Sequence, residues 1–344
     1  MMSVKTLLKL NKLFRCPAHP FNAPAEEAQQ GPDLAYARWE YGRAEAGLLL
    51  FAPWYAPGDI VFRKDVLDIG CGAGGCGVYY AEKYGARVTG LELEERYEAQ
   101  AEALAAERLG ARKDSSADPL ADPAPGSAGG SFTFLLADAA ASGLPQESFD
   151  TIIMSDAFEH LKDPEAVLRE CRRLLRPGGR VFISFPPYGH PYGEHLSDLI
   201  GIPWVQLFFS EADMSAAYAR LAAELDEKAG SGKTARPSVS GAQRIAFRFT
   251  KDPDGTCRNT YINRMTLKRF RGILERFTTS PDNSSSGRGD APSGAQKPFR
   301  LALYREKPLR GWLLPLAKLP GIKEHFVRMA VCVLEKDANK PGDQ

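Results

Sequence analysis

The stretch VLDIGCGAGGCGVYYAEKYGARVTGLELEE, Val66 to Glu95, constrains this chain more than any other. Its aliphatic and β-branched opening suits a strand buried on both faces, as parallel sheets require. Glycines then turn the chain into a helix that Gly85 closes, and ARVTGLEL follows as a second strand. A strand, a crossover helix and a second strand form a βαβ unit, whose connection is right-handed almost without exception.

The alternation continues. EERYEAQAEALAAERLG reads as a helix stopping at Gly110, FTFLLAD as a third strand, FDTIIMSD as a fourth and RVFISF as a fifth. The helix before the fifth has Asp163 as N-cap, Pro164 in its first turn, Val167, Leu168, Cys171, Leu174 and Leu175 on one face, and PGG as its stop. Beyond Pro186 the pattern fails through PYGHPYGEHLSDLIGIPWVQLFF, an aromatic-rich insertion that reads as a lid. A helix is expected from Ile262 to Phe277, and the strand candidates PFRLALYRE and RMAVCVLEK then flank a short helical linker. Strands alternating with helices, ending in two strands without a regular crossover, predict an α/β doubly wound, mostly parallel sheet with an antiparallel edge. The expected segments are 1–60, an N-terminal helical cap; 61–187, the cofactor-binding core; 188–261, the lid; and 262–344, which completes the core. Two stretches, ARKDSSADPLADPAPGSAGGS and TTSPDNSSSGRGDAPSGAQ, are too rich in Pro, Gly, Ser and Asp to bury anything and read as surface insertions.

Composition narrows the ligand. With 44 Lys+Arg against 43 Asp+Glu in 344 residues, nothing global draws the chain to nucleic acid or an anionic membrane, so a small molecule is expected. The six cysteines are scattered without C-x-x-C pairs, which suggests neither a zinc site nor a disulfide framework and fits a reducing cytoplasm. Leu7, Leu8, Leu10 and Phe14 can line an amphipathic helix, expected to pack on its own domain rather than to lie on a membrane surface. No run approaches membrane-spanning length.

Gly70, Gly72 and Gly75 satisfy G-x-G-x-x-G, the pattern that lets backbone approach a pyrophosphate. Asp68 argues for another ligand: beside a pyrophosphate it repels, whereas beside the ammonium of an amino-acid moiety it attracts. Glu92, ending the second strand, can accept from both hydroxyls of a ribose, and Asp138 in LLADAAASGLP can accept from an adenine amine. In this pattern of acid, glycine turn, acid and acid at successive strand ends, the sequence resembles the class I S-adenosylmethionine-dependent methyltransferases of the small-molecule type. VLDIGCGAGG is similar to their first motif, VTGLELEE to the second, ADAAASGLP to the third, and the stretch from Ser148 to Pro187 to the fourth through fifth strands. The likeness covers roughly half the chain. It implies a Rossmann-like sheet of seven strands in the order 3-2-1-4-5-7-6, with helical lid insertions, and S-adenosyl-L-methionine as cofactor.

Carried onto this sequence, the family's roles place Asp68 near the methionine ammonium and Gly70, Cys71 and Gly72 against methionine and ribose. Glu92 and Leu93 fall at the ribose, Asp138 and Ala139 at adenine, and Ser155 with Asp156 on the floor. The motif SDAF departs from the (N/D)PP(Y/F) of enzymes that methylate amide or exocyclic nitrogens, which counts against those substrates. YARWEYGRAEAGLLLFAPW looks like the helix that closes over the cofactor, with Arg43 available to the methionine carboxylate and Trp39 or Tyr41 to the sulfonium.

Methyl transfer is an in-line displacement, so the protein must align a nucleophile and exclude water, with a base needed only when the nucleophile holds a proton. The candidate bases are His195, His190 and His160; His195 is preferred because Glu194 and Asp198 adjoin it in sequence. Tyr188, Tyr192 and Trp204 offer flat faces to an apolar or aromatic acceptor methylated at O, N or C. A metal held by His190, Glu194 and His195 is not expected, because Gly193 interrupts any helix through them. The cations Arg264, Lys268, Arg269, Arg271 and Arg276 read as a solvated face rather than a phosphate-binding one. The competing readings are a nicotinamide-dependent oxidoreductase and an RNA or protein methyltransferase.

Overall fold

A computed structural model describes residues 3–22, 33–110, 129–234, 237–253, 257–279, 299–310 and 315–338. Most of both surface insertions, 111–128 and 280–298, lies outside the described residues. The chain divides into two compact units. The larger comprises Ala37–Phe185, Leu267–Lys307 and Met329–Gln344; the smaller comprises Met1–Tyr36, Pro186–Thr266 and Pro308–Arg328. The expected cap and lid segments thus contribute differently: the cap's second half joins the larger unit, and the segment before the last strand joins the smaller.

The strands in chain order are β1 (Asp65–Ile69), β2 (Arg87–Glu92), β3 (Ser131–Leu136), β4 (Phe149–Ser155) and β5 (Leu175–Phe185). They are followed by β6 (Phe249–Lys251), β7 (Cys257–Asn259), β8 (Thr278–Thr279), β9 (Phe299–Pro308) and β10 (Val327–Glu335). The main sheet runs β3-β2-β1-β4-β5-β10-β9-β8. Strands β1 to β5 pair in parallel, and β10 lies antiparallel to β5 with Cys332 opposite Ile183. With β10 as the seventh strand and β9 as the sixth, this is the order 3-2-1-4-5-7-6. One correction applies: the sheet has eight strands, because the helix Leu267–Phe277 runs straight into Thr278–Thr279, which pair in parallel with Phe299 and Arg300.

Two boundaries differ from the sequence reading. The helix expected from Ile262 begins at Leu267, since Arg264 sits at φ +56, outside helical space. The helix capped by Asp163 ends at Leu174, and the PGG expected to stop it lies within β5.

The sheet is buried on both faces, which accounts for its unbroken apolar runs. Val66 and Leu67 of β1, Ile152 and Met154 of β4, and Val181 and Ile183 of β5 are all fully buried. Each such side chain contributes about 1.5–3 kcal/mol relative to an exposed one. The helix Gly75–Tyr84 approaches the sheet closely through small residues. The ring of Phe132 on β3 occupies a slot lined by three glycines, where an added Cβ would fall 2.7 Å from it at Gly74, 2.5 Å at Gly77 and 2.8 Å at Gly90.

The smaller unit has its own core, built from Leu7, Leu196, Ile200, Val205, Tyr218 and Phe249 among others, and carries the ribbon of β6 and β7. The amphipathic helix is Val4–Asn11, capped by Ser3, and it buries Leu7 completely within this core. The amide of Asn11 fixes its end, donating to the Leu199 carbonyl and accepting from the Gly201 N–H, each at 2.8 Å. No helix among the described residues is long and apolar enough to cross a membrane.

Alanine ordinarily stabilises a helix interior relative to glycine by about 1 kcal/mol. At Gly77 the sign reverses, because a methyl group would drive into the Phe132 ring. Gly77→Ala is expected to destabilise the protein by roughly 1–3 kcal/mol in denaturant unfolding; unchanged or increased stability would show that the slot is not tight.

Candidate functional site

The glycine turn joins β1 to the helix Gly75–Tyr84. Gly70 leaves the strand at φ +70, and a Cβ there would meet that of Ala157 at 2.7 Å, so glycine is required on both counts. Two carboxylates hold the amides of the turn. Glu92, at the end of β2, accepts from Gly72 N–H at 2.9 Å through Oε2, and from Leu93 and Glu94 N–H at 2.8 and 3.2 Å through Oε1. Glu40, from the helix Ala35–Leu48, accepts from Gly75 N–H at 3.1 Å. Amides that a pyrophosphate would need are therefore already satisfied by side chains.

Asp68 lies buried inside the end of β1, 4% exposed. Burial, with the charge of Glu92 added, pushes its carboxyl up to about 7. Burial likewise raises Glu92, against the pull of its three backbone donors, and raises Glu40 strongly, with Asp68 and Glu92 adding to the rise. Arg43 opposes the rise at Glu40. Three buried carboxylates, with Glu92 raising Asp68 and both raising Glu40, form a site suited to a cation.

The other expected cofactor residues lie in the same unit. Cys71 is buried, and its amide donates to the Leu91 carbonyl at 3.2 Å. Leu93 is 57% exposed at the end of β2. Asp138 is exposed and accepts from Ala140 N–H at 2.8 Å, while Ala139 is buried. The Ser155 and Ser184 hydroxyls lie 3.3 Å apart. Arg43 forms an ion pair with Asp156 and stacks over Trp39, 4.5 Å from the ring centroid. Tyr41 instead gives its hydroxyl to Glu82 and lies under Arg108. Glu40 was missed by sequence reasoning, since a Glu in an ordinary helix carries no local signal that it faces another element's amides.

His160 stands in a short 3-10 turn, Phe158–His160, half-buried, with its Nε2 3.9 Å from Glu159 Oε1. His190 and His195 belong to the smaller unit, on the chain that leaves β5. There they line a cavity of about 200 Å³ together with Tyr192, Tyr261, Arg248 and His19. His195 sits at φ +54, its carbonyl accepts from Arg248 Nε at 3.0 Å, and its ring lies 6.0 Å from that of Tyr261. Burial lowers His190 to about 4, helped by Arg328, and its Nδ1 accepts from Tyr192 N–H at 3.2 Å.

Of the aromatic residues expected at the acceptor, the structure brings Tyr192 to this cavity. Tyr188 gives its hydroxyl to Glu194, and Trp204 donates from Nε1 to the His325 carbonyl at 3.1 Å with its ring beside Phe326. The acids adjoining His195 serve other groups: Glu194 also receives the Asn259 amide, and Asp198 takes Arg244, Arg248 and Tyr218. Three of the run's five cations are paired: Arg264 with Glu211 at 2.6 Å, Arg276 with Glu165 at 2.5 Å, and Arg271 with Glu306.

An open, mostly parallel sheet with an antiparallel strand beside β5, and acids bonded to the amides of its glycine turn, defines a doubly wound α/β domain. Residues 67–183 match the family model of the methyltransferase domain. This part of the chain is a class I S-adenosylmethionine-dependent methyltransferase domain, and S-adenosylmethionine is its cofactor.

The chain is similar to a ubiquinone biosynthesis O-methyltransferase of Idiomarina loihiensis, 33% identical over 128 residues, which is 37% of this chain and 44% of that protein. It is also similar to phosphoethanolamine N-methyltransferase 2 of Caenorhabditis elegans, at 31% over 40% of this chain and 26% of that one. A third relative is the methyltransferase GfsG of Streptomyces halstedii, at 32% over 41% and 44%. The chain thus spans less than half the length of these curated relatives. Among solved structures, the PH0226 protein of Pyrococcus horikoshii aligns over 89% of this chain and 94% of its own, at 15% identity and a TM-score of 0.43.

The position of Asp68 has a consequence for stability. Its pKa rises from 3.8 to about 7 on folding. Between those values the folded protein keeps a proton that the unfolded chain releases, so this residue's contribution falls as pH rises through the window. Asp68→Asn cannot ionise. Its melting temperature relative to the wild type, both without ligand, is therefore expected to climb from pH 4 to pH 7; a difference independent of pH would show that Asp68 titrates normally.

Proposed function

We propose that the protein is a methyltransferase that moves the methyl group of S-adenosylmethionine to an O, N or C atom of a small, aromatic or apolar acceptor. The observation that carries this reading is the buried carboxylate group of Asp68, Glu92 and Glu40 around the glycine turn. Each carboxyl is raised by burial, and among the described residues none is matched there by a bonded cation, which fits a ligand bringing its own positive charge. S-adenosylmethionine supplies an ammonium for Asp68 and an electrophilic methyl group on a sulfonium.

In this reading Gly70, Cys71 and Gly72 pass along the methionine and ribose. Glu92 accepts from the ribose hydroxyls: three backbone donors leave a carboxylate with roughly four acceptor positions room for more. Exposed Leu93 and buried Ala139 bracket the adenine, Asp138 accepts from its amine, and Ser155 lines the floor. Arg43 shares its guanidinium between Asp156 and the methionine carboxylate.

The acceptor is held in the cavity of the smaller unit, lined by His190, Tyr192, His195 and Tyr261. His195 is the preferred base. His190, lowered to about 4, takes up protons weakly at neutral pH and serves as a neutral hydrogen-bonding group. His160 belongs to the cofactor-binding unit and is assigned the third place.

Calorimetric titration with S-adenosylhomocysteine, run in parallel with NADH, tests the cofactor site. Binding of the first alone is expected, weakened at least ~10-fold in Asp68→Asn and in Glu92→Gln; binding of NADH alone would overturn the reading. With labelled methyl donor and a panel of phenols and amines, His195→Ala is expected to lower turnover by roughly 10²–10⁴ without weakening S-adenosylhomocysteine. Methylation confined to RNA or protein would replace the small acceptor with a macromolecule.

A further inference from the structure

Arg248, in the wall of the smaller unit's cavity, is 2% exposed. A guanidinium so deeply buried ordinarily has its N–H groups satisfied. Its Nε donates to the His195 carbonyl, and its Nη2 lies 3.2 Å from Asp198 Oδ1 in an ion pair that lacks hydrogen-bond geometry. Its Nη1 is buried without a hydrogen-bond partner among the described residues.

Asp198 does not balance the charge. It is itself buried, and its Oδ2 already accepts from Arg244 Nη1 at 2.7 Å and from the Tyr218 hydroxyl at 2.8 Å. Arg244 has no exposure at all. Two buried guanidiniums thus share one buried carboxylate, and a net positive charge remains where water is largely excluded.

Beyond the backbone carbonyls, ring faces surround it. Tyr218, Phe21, Phe247 and Tyr261 have their centroids 5.3, 5.4, 5.5 and 5.6 Å from the Arg248 guanidinium carbon. The neutral ring of His190, with Nδ1 accepting from Tyr192, carries its proton on Nε2 and adds a second donor to the lining. The volume of about 200 Å³ exceeds the ~150 Å³ that suffices for a benzene ring, and Phe21, Tyr36, Tyr192 and Tyr261 supply flat walls.

We propose that this cavity is a binding site for a carboxylate carried on a single flat ring, received by the Arg248 guanidinium. A single surplus positive charge on one guanidinium matches a monoanion better than a phosphate dianion, which needs more charge and more donors. Resting on the methyltransferase reading, the inference narrows the acceptor to an aromatic acid whose carboxylate is its handle.

Benzoate and its neutral isostere benzamide distinguish charge from shape. In calorimetric titrations of the full chain, benzoate is expected to bind at least ~10-fold more tightly than benzamide. That preference should disappear in Arg248→Gln and partly return in Arg248→Lys. If the glutamine variant does not fold, the wild-type ratio and the lysine variant decide. A wild-type ratio near one, or no benzoate binding at millimolar concentration, overturns the proposal. S-adenosylhomocysteine titrated into the same samples separates the two readings: its failure with benzoate selectivity intact removes the methyl acceptor, not the anion site.

Discussion

The larger unit depends on side-chain carboxylates holding the amides of a glycine turn. Glu92 comes from the neighbouring strand and Glu40 from the helix that precedes the sheet, and each satisfies an N–H that the turn and helix start would otherwise leave unpaired. This arrangement tolerates buried acid at the head of a helix, where the dipole favours negative charge. It also removes the amides from competition for phosphate. Asp68, buried beside them, is left as a carboxyl raised by burial and by the charge of Glu92.

The smaller unit solves the opposite problem. Its core brings two arginines into the interior on the helix Gly241–Arg248 and gives them one aspartate, three backbone carbonyls and a set of aromatic faces. Because Arg248 holds the carbonyl of His195, the residue that supplies surplus charge also fixes the backbone of the preferred base. One side chain thereby holds both the surplus charge and the His195 backbone.

Much of the fold was legible because parallel strands announce themselves as unbroken apolar runs and helices announce their caps. Asp163 accepts from the amides of Glu165 and Ala166 as an N-cap should, and Gly85 closes its helix in the left-handed region. What misled was local: Arg264 reads as a helical residue until its positive φ is seen, and the pairing that makes Thr278–Thr279 a strand involves chain 20 residues away. The polar partners of the expected acceptor residues were not legible: Tyr188 bonds to Glu194 and Trp204 to the His325 carbonyl, and hydrogen-bond partners distant in sequence leave no trace in composition.

By itself the sequence determined the order of strands and helices, the glycine turn and the succession of acids at strand ends, since each rests on periodicity or on neighbours within a few residues. The tertiary structure alone decided that Glu40 faces the turn, that the first helix packs into the unit formed after β5, and that Arg244 and Arg248 compete for Asp198. Those facts depend on contacts across more than a hundred residues or between separate elements, where burial sets the strength of a charge and no local pattern records it.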